Sequence, residues 1–389
     1  MDIIESNKYA GACDNYINDI ITYFEWAIHL NRLMLNYIGI WPSMHKNTYD
    51  KFLSNLRAMF TFIVLLFIGI IPAIHSLMRT WGDMMLIIDN LQYTLPMITA
   101  ILKLVIVWWR KRGRIHNHAQ NARILTMIGY GFMILSIALV IILPLFGKSV
   151  RYLTNITDPI KILPLQTYYI YDKDKSPYFE FTFVAQIFLI LMCFASYSGV
   201  DTLFGLLVFH LCGQMENLKE KLINMEQFKN YNKGLAFIVK DHIRLIKCFD
   251  VIENTFTLLL LGLLIYFGTL FCLYGFLILA ILTEGKKMSL MRFLYLISVA
   301  MNVCCHMCLF CAVGEILIAQ CESIYRATYE HKWYKLKPKE MKNLLLIMIR
   351  TNKPLYITAG KIFPMTMSMF CNLIKTSAGY ISVLLTMQS

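Results

Sequence analysis

The chain carries little charge for its length. Asp, Glu, Lys and Arg make up 16% of its 389 residues, while hydrophobic residues make up 58%. A soluble globular chain has about 25% charged and roughly 45–50% apolar residues. That shortage of charge excludes an ordinary water-soluble domain and indicates an all-α, polytopic membrane protein. The first eight residues hold neither a basic run nor an apolar core, so no cleaved signal peptide is expected. The loops expected outside the cell contain none of the 11 cysteines, which argues against a disulfide framework. No nucleophile–base pairing, phosphate loop or cofactor fingerprint is found, so neither an enzyme nor a cofactor is expected. The internal repeats that an alternating-access carrier would show are missing too.

What is present is a series of apolar runs of membrane length. Residues 1–57 are mixed in polarity, with an amphipathic run at 23–40 that suits an interfacial helix. Spans are expected at 58–78, 84–109, 124–146, 179–212, 255–282, 293–319 and 362–387. A helix needs about 20 residues to cross a bilayer at 1.5 Å each. Trp81 and the pair Trp108 and Trp109 flank the second span as interfacial anchors. The domain plan that follows has an N-terminal segment over 1–57 and four spans within 58–215, including a loop at 148–178. Residues 216–254 extend span four and form a loop; 255–319 hold spans five and six. Residues 320–361 form an anchor segment, and 362–389 the last span.

Of the 37 lysines and arginines, 26 fall in residues 1–57, 110–123, 216–252 and 319–361. The alternate loops hold nine, and Lys103 and Lys375 lie within spans. Basic residues stay on the cytosolic side, which places the N-terminus in the cytosol and the C-terminus outside. The formal charge of +13 is then a property of cytosolic loops, not a sign of nucleic-acid binding. The sequon Asn155-Ile156-Thr157 falls in a loop that this orientation puts outside, where Asn155 can be glycosylated. Seven spans invite a G-protein-coupled receptor reading, but that class has the opposite orientation. Asp-Arg-Tyr after span three and Asn-Pro-x-x-Tyr in span seven are both missing.

The last run is unusually polar for a span. It carries Thr366, Ser368, Asn372, Lys375, Thr376, Ser377 and Ser382. Polar groups are costly in hydrocarbon and face protein or water, so this helix is expected to line something wet.

Several stretches together resemble the insect odorant receptors, inverted seven-helix ligand-gated cation channels. Arg32-Leu-Met-Leu-Asn-Tyr-Ile-Gly-Ile-Trp-Pro42 is similar to that family's entry motif. Leu163-Pro-Leu-Gln-Thr-Tyr-Tyr-Ile-Tyr-Asp172, Ser176-Pro-Tyr-Phe-Glu180 and Gln186 are similar to its second outer loop and the start of span four. Asp201, His210 and Gln214 keep the spacing of its fourth helix. Cys311, Gly314, Tyr325, Ala327-Thr-Tyr329 and Trp333-Tyr334 match its sixth helix and the segment beyond. Thr358-Ala-Gly-Lys-Ile-Phe-Pro364, Leu373-Ile-Lys-Thr-Ser377 and Tyr380 are the most specific match. Where the family has Tyr-Ser-Tyr-Phe, this chain has Ala378-Gly-Tyr-Ile381. It also lacks the long intracellular insertion of the shared co-receptor, and so looks like an odour-specific tuning subunit.

The resemblance implies a small volatile odorant as ligand, the co-receptor as partner in a tetrameric channel, and the dendrite membrane of an olfactory neuron as location. It places a hydrophobic gate at Val383. On a helical wheel Tyr380, Gly379, Thr376, Asn372 and Met369 lie within about 60° of Val383, whereas Lys375 lies about 80° away. The competing reading is that these polar groups only bond neighbouring helices. The family's pocket implies candidates Ile87, Asn90, Ser136, Leu139, Val140, Phe183, Ile187, Ile190, Phe267, Phe271 and Met301, for each of which plain helix packing is the alternative. Cys304, Cys305, Cys308 and Cys311 have metal-like spacing, but inside a span they read as packing residues, and no metal is expected. Asp201 and Glu315 are expected to pair with basic residues of the cytosolic anchor. A gustatory receptor of the same superfamily is the alternative, but its signature Thr-Tyr-x-x-x-x-x-Gln-Phe is missing.

Overall fold

The computed structural model describes residues 31–40, 48–110, 134, 137, 138, 140–142, 144, 161–165, 167–225, 231–284, 290–331 and 333–388. The fold is almost wholly helical. Helix α1 spans Thr48–Val64, passes through a π-helical turn at Leu65–Ile70, and continues as α2, Ile71–Arg79. Then come α3 (Met84–Arg110), α4 (Tyr178–Ile223), α5 (Tyr231–Glu284), α6 (Leu290–Glu330) and α7 (Pro338–Thr351). A two-stranded antiparallel hairpin, β1 Thr358–Ala359 and β2 Phe363–Pro364, leads into α8, Met367–Gln388.

Among the described residues five helices are long and apolar enough to cross a membrane: Tyr49–Arg79, Met84–Trp109, Tyr178–Ile223, Tyr231–Leu277 and Arg292–Lys335. The third expected span, 124–146, and the sequon at Asn155 lie largely or wholly outside the described residues.

The helices exceed the expected spans, and the reason is amphipathicity. The first begins at Thr48, ten residues ahead of the expected start at 58. The α4 helix has 46 residues and α5 has 54. At 1.5 Å per residue these are roughly 70 and 80 Å long, more than twice a hydrocarbon core of about 30 Å. The charged stretch 216–254, expected as one extension and a loop, divides between two antiparallel helices. Lys221 on α4 meets Asp241 on α5 at 2.8 Å, so the interrupting charges lie on helix faces and do not break the helices.

Two turns give the bundle its ends. At one end the segment 161–177 folds back over the helices, and this is called the loop end below. At the other, the hairpin turns through Gly360 and Lys361, both with positive φ near 60°, and Ile362 N–H donates to Ala359 O (3.2 Å). Ala359 pairs with Phe363, so three residues make the connection, and the positive φ at its first position suits glycine. Residues 362–366, expected as the start of the last span, are spent on this hairpin end.

The amphipathic segment before α1 is likewise spent on the protein. Leu35, Ile38 and Ile40 are buried in the main core, and Ser54 Oγ donates to Gly39 O (2.7 Å). Asn31 is hydrogen-bonded to Thr202 on α4 (2.9 Å).

Candidate functional site

Two apolar clusters fill the bundle. The larger runs along α3 to α6 and includes Phe267, with Phe271 packed against it. The smaller lies toward the loop end and is built from Val64, Leu65, Ile70, Met97, Val140, Leu165, Leu189, Ile190 and Tyr295, with Tyr93 packed against it. It therefore brings together two of the expected pocket residues, Val140 and Ile190. Ile187 and Phe183 are half-buried on α4, and the Phe183 ring packs at a tilt against Phe179 with centroids 6.0 Å apart. Ile87 is half-buried on α3. Asn90 is buried, and its carbonyl and side-chain oxygens accept from Thr94 Oγ1 at 2.9 and 2.8 Å. Met301 is 49% exposed on α6 and joins neither cluster. Ser136 and Leu139 lie outside the described residues.

Gln186 fixes the loop over the smaller cluster. Its Oε1 accepts from Leu165 N–H (3.0 Å), while its Nε2 donates to Thr167 Oγ1 (2.8 Å) and Tyr169 OH (3.3 Å). Burial pushes the Tyr169 phenol above its ordinary pKa, so it stays protonated and available to this network. Arg79 lies over the Tyr168 ring, 3.4 Å from its centroid. Leu165 is thereby held as the roof of the cluster.

Sequence reasoning missed the polar wall beside it. Arg292 on α6 makes two hydrogen bonds to the Asp89 carboxylate on α3, at 2.9 and 3.1 Å, with both side chains buried. Tyr93 and Tyr295 stack with centroids 6.4 Å apart. The one acid of a span whose other charge, Lys103, lies about four turns further on, with one arginine at the start of another span, was the available signal. Paired and bidentate, such charges are tolerable where isolated ones are not.

Deeper in the bundle Asp201 is tied within the helices and not to the anchor segment. Lys103 Nζ on α3 lies 2.6 Å from Asp201 Oδ1 on α4, and His306 Nδ1 on α6 lies 3.3 Å from Oδ2. The Lys103 ammonium also sits 3.2 Å from the Tyr197 ring centroid. The anchor was the wrong place to look for its partner, because a fully buried lysine already supplies one. Glu315 likewise serves another purpose: its Oε2 accepts from Met367 N–H (3.2 Å) and caps α8, where a helix N-terminus favours a carboxylate. Among the described residues no three His, Cys, Asp or Glu side chains are placed to share a metal ion.

The start of α8 is clamped at three points. Gly360 N–H donates to Thr257 O (2.8 Å), Lys361 N–H to Thr257 Oγ1 (3.0 Å), and Thr358 Oγ1 to Glu253 Oε1 (2.7 Å). From there α8 packs Phe370, Leu373 and the buried Ser377 inward. Asn372, Thr376 and Gly379 are exposed on the surface of the chain, as is Lys375, while Met369 is half-buried. Tyr380 and Val383 belong to the same helix, but their side chains lie outside the described residues.

Helices of this length and apolarity, packed as one bundle, define an all-α polytopic membrane protein. The family model described as "7tm Odorant receptor" matches residues 110–378. The chain belongs to that odorant receptor family, a family of receptors and not of enzymes. It is 26% identical over 220 residues to Odorant receptor 10 of Aedes albopictus, covering 55% of this chain and 57% of that protein. With Odorant receptor 13a of Drosophila melanogaster the identity is 25%, covering 51% and 53%. The match therefore spans little more than half the length of these two relatives. Odorant receptor Or2 of Anopheles gambiae is matched at 23% identity over 79% of this chain and 86% of that protein. The fold is similar to the insect olfactory receptor OR5 from Machilis hrabei in complex with eugenol, with a TM-score of 0.79 and 14% identity. That likeness covers 95% of this chain and all of the other.

Proposed function

We propose that this chain is the tuning subunit of an odorant-gated, non-selective cation channel, assembled with a co-receptor subunit into a tetramer around one pore. In this reading seven helices cross the plasma membrane of an olfactory neuron's dendrite, with the N-terminus cytosolic and the C-terminus outside. The loop end then faces outward, and Asn155 is open to glycosylation. A small, volatile, largely apolar odorant binds within the loop-end half, against Val140, Ile190 and neighbouring candidates.

The observation that carries the proposal is the face of α8. The helix has 22 residues, enough to cross a bilayer, yet Asn372, Thr376 and Gly379 are exposed on its own chain's surface. In a membrane such a stripe needs water or a partner, and a central pore shared by four subunits supplies both. Val383, on the same stripe, forms the gate, and Tyr380 sits beside it. A ring of aliphatic side chains closes a pore by dewetting. Odorant opens it only by binding the open state better than the closed one. Recording odour-evoked currents from Val383→Ala channels tests the proposal. The expected result is raised basal current and altered gating; unchanged gating, leak and permeation would remove Val383 from the gate.

A further inference from the structure

The apolar packing toward the loop end is interrupted where α3, α5 and α6 meet. Asp89 and Tyr93 come from α3, Tyr274 from α5, and Arg292 and Tyr295 from α6. Tyr295 is a member of the smaller apolar cluster and has Tyr93 packed beside it, whereas Tyr274 belongs to the larger cluster. The Tyr274 hydroxyl lies within electrostatic reach of the Tyr93 hydroxyl and the Asp89 carboxylate, and Asp89 reaches the Tyr295 hydroxyl as well. Tyr274 therefore stands on the seam between the two clusters, facing the polar wall.

The polar atoms of this wall are used unequally. Asp89 and Arg292 answer each other through two hydrogen bonds, so the pair adds no net charge. Tyr274 is 7% exposed, yet its hydroxyl has no hydrogen-bond partner among the described residues. Tyr266, about two turns earlier on α5, is by contrast hydrogen-bonded to Tyr197. A buried hydroxyl without a partner is unfavourable, and Phe would fill the same space without it. We propose that the Tyr274 hydroxyl donates a hydrogen bond to the ligand and selects uncharged odorants that carry a carbonyl oxygen: ketones, aldehydes or esters. A phenol O–H is a good donor, while its oxygen, conjugated with the ring, accepts weakly, so an accepting oxygen is its complement. A carboxylate odorant is rejected, because its charge would be buried beside the Asp89 carboxylate with Arg292 already engaged. An apolar pocket alone separates ligands of one shape poorly, whereas a site with a buried polar group to satisfy rejects the analogue that lacks the matching atom. The proposal rests on the odorant binding in the loop-end half, as read above, and adds the chemical class it takes.

The test uses the full chain, expressed with the co-receptor for currents and purified for thermal melting. The probes are methyl alkyl ketones of increasing length, each paired with the alkene that has a methylene group in place of the carbonyl oxygen. The two members of a pair share one shape and differ in the acceptor. Each active ketone should be about tenfold more potent than its alkene. Tyr274→Phe should weaken the ketones by about that factor and leave the alkenes unchanged. Without ligand, Tyr274→Phe should melt no lower than the wild type, since it deletes an unpaired hydroxyl. Tyr266→Phe, which loses the bond to Tyr197, should melt lower. Equal potency of ketone and alkene on the wild type, or an undiminished ketone preference in Tyr274→Phe, overturns the proposal. So does a lower melting temperature of unliganded Tyr274→Phe, which would give the hydroxyl a partner within the protein. Failure of the channel reading looks different: no ketone would evoke current, but ketones would still raise the melting temperature of the wild type and not that of Tyr274→Phe. A wild type with neither current nor a ketone-induced rise in melting temperature overturns both.

Discussion

Asp201 and Lys103 form an ion pair at 2.6 Å in the middle of a membrane-length bundle, with side chains 7% and 1% exposed. The pair ties α3 to α4, and through His306 it reaches α6 as well. Removing either partner leaves the other as an uncompensated buried charge, a cost of about 3–5 kcal/mol. Lys103→Met and Asp201→Leu made singly should each abolish surface delivery. The double variant, apolar at both positions, should restore most of it, because the strain comes from the unpaired charge. Surface biotinylation and thermal melting of all three distinguish this from simple packing, in which the double variant would be the worst of the set.

That pair also shows where the sequence was legible and where it was not. Apolar runs located the helices well: 84–109 is expected and Met84–Arg110 is found. They placed Lys221 and Asp241 in one stretch that extends span four and ends in a loop, and did not show that Asp241 already belongs to the next helix, where it meets Lys221 across the α4–α5 interface. Ile362 and Phe363 are apolar enough to join a span, but the turn at Gly360 and Lys361 takes them into a hairpin. Val140 and Ile190, expected as pocket residues, are found buried in one apolar cluster. Tyr93, Tyr295 and the Asp89–Arg292 pair were not legible, because only three-dimensional pairing distinguishes a tolerated buried charge from a loop residue.

The roof over the loop-end cluster hangs on one amide. Gln186→Leu keeps the volume but leaves Leu165 N–H without its acceptor and removes two donations. At about 0.5–1.5 kcal/mol net per hydrogen bond, the loop should lose roughly 2 kcal/mol of local stability. Hydrogen–deuterium exchange over residues 163–169 should then speed up about 30-fold, since each 1.4 kcal/mol is tenfold. Gln186→Glu retains an acceptor for Leu165 and should fall between the two. Wild-type protection in Gln186→Leu would show that the loop is held elsewhere.

Glycines on these helices should respond oppositely to one added methyl group. A Cβ at Gly314 on α6 would run into the Met365 carbonyl just before α8, whereas a Cβ at Gly205 on α4 meets nothing within 4 Å. Gly314→Ala should cost about 1–3 kcal/mol through overpacking and should disturb the entry to α8, seen as lower thermal stability and altered basal current. Gly205→Ala should be neutral or stabilising by up to about 1 kcal/mol. Equal melting temperatures for the two would contradict the close approach of α6 to this segment.

If the exposed face of α8 lines a cation path, a charge placed on it acts on permeating ions directly. Asn372 lies about 20° from Val383 on the helical wheel, whereas Ile374 lies on the opposite side. A unit charge about 6 Å from an ion in water contributes roughly 0.7 kcal/mol, or about threefold in local cation concentration. Asn372→Lys should therefore lower single-channel cation conductance by about that factor, and Asn372→Asp should raise it. Ile374→Ser, on the far face, should leave conductance unchanged. The discriminating measurement is single-channel recording of the three variants in the heteromeric channel. An Asn372→Lys channel conducting like the wild type, or an Ile374→Ser channel with altered conductance, would turn the pore to another face of α8.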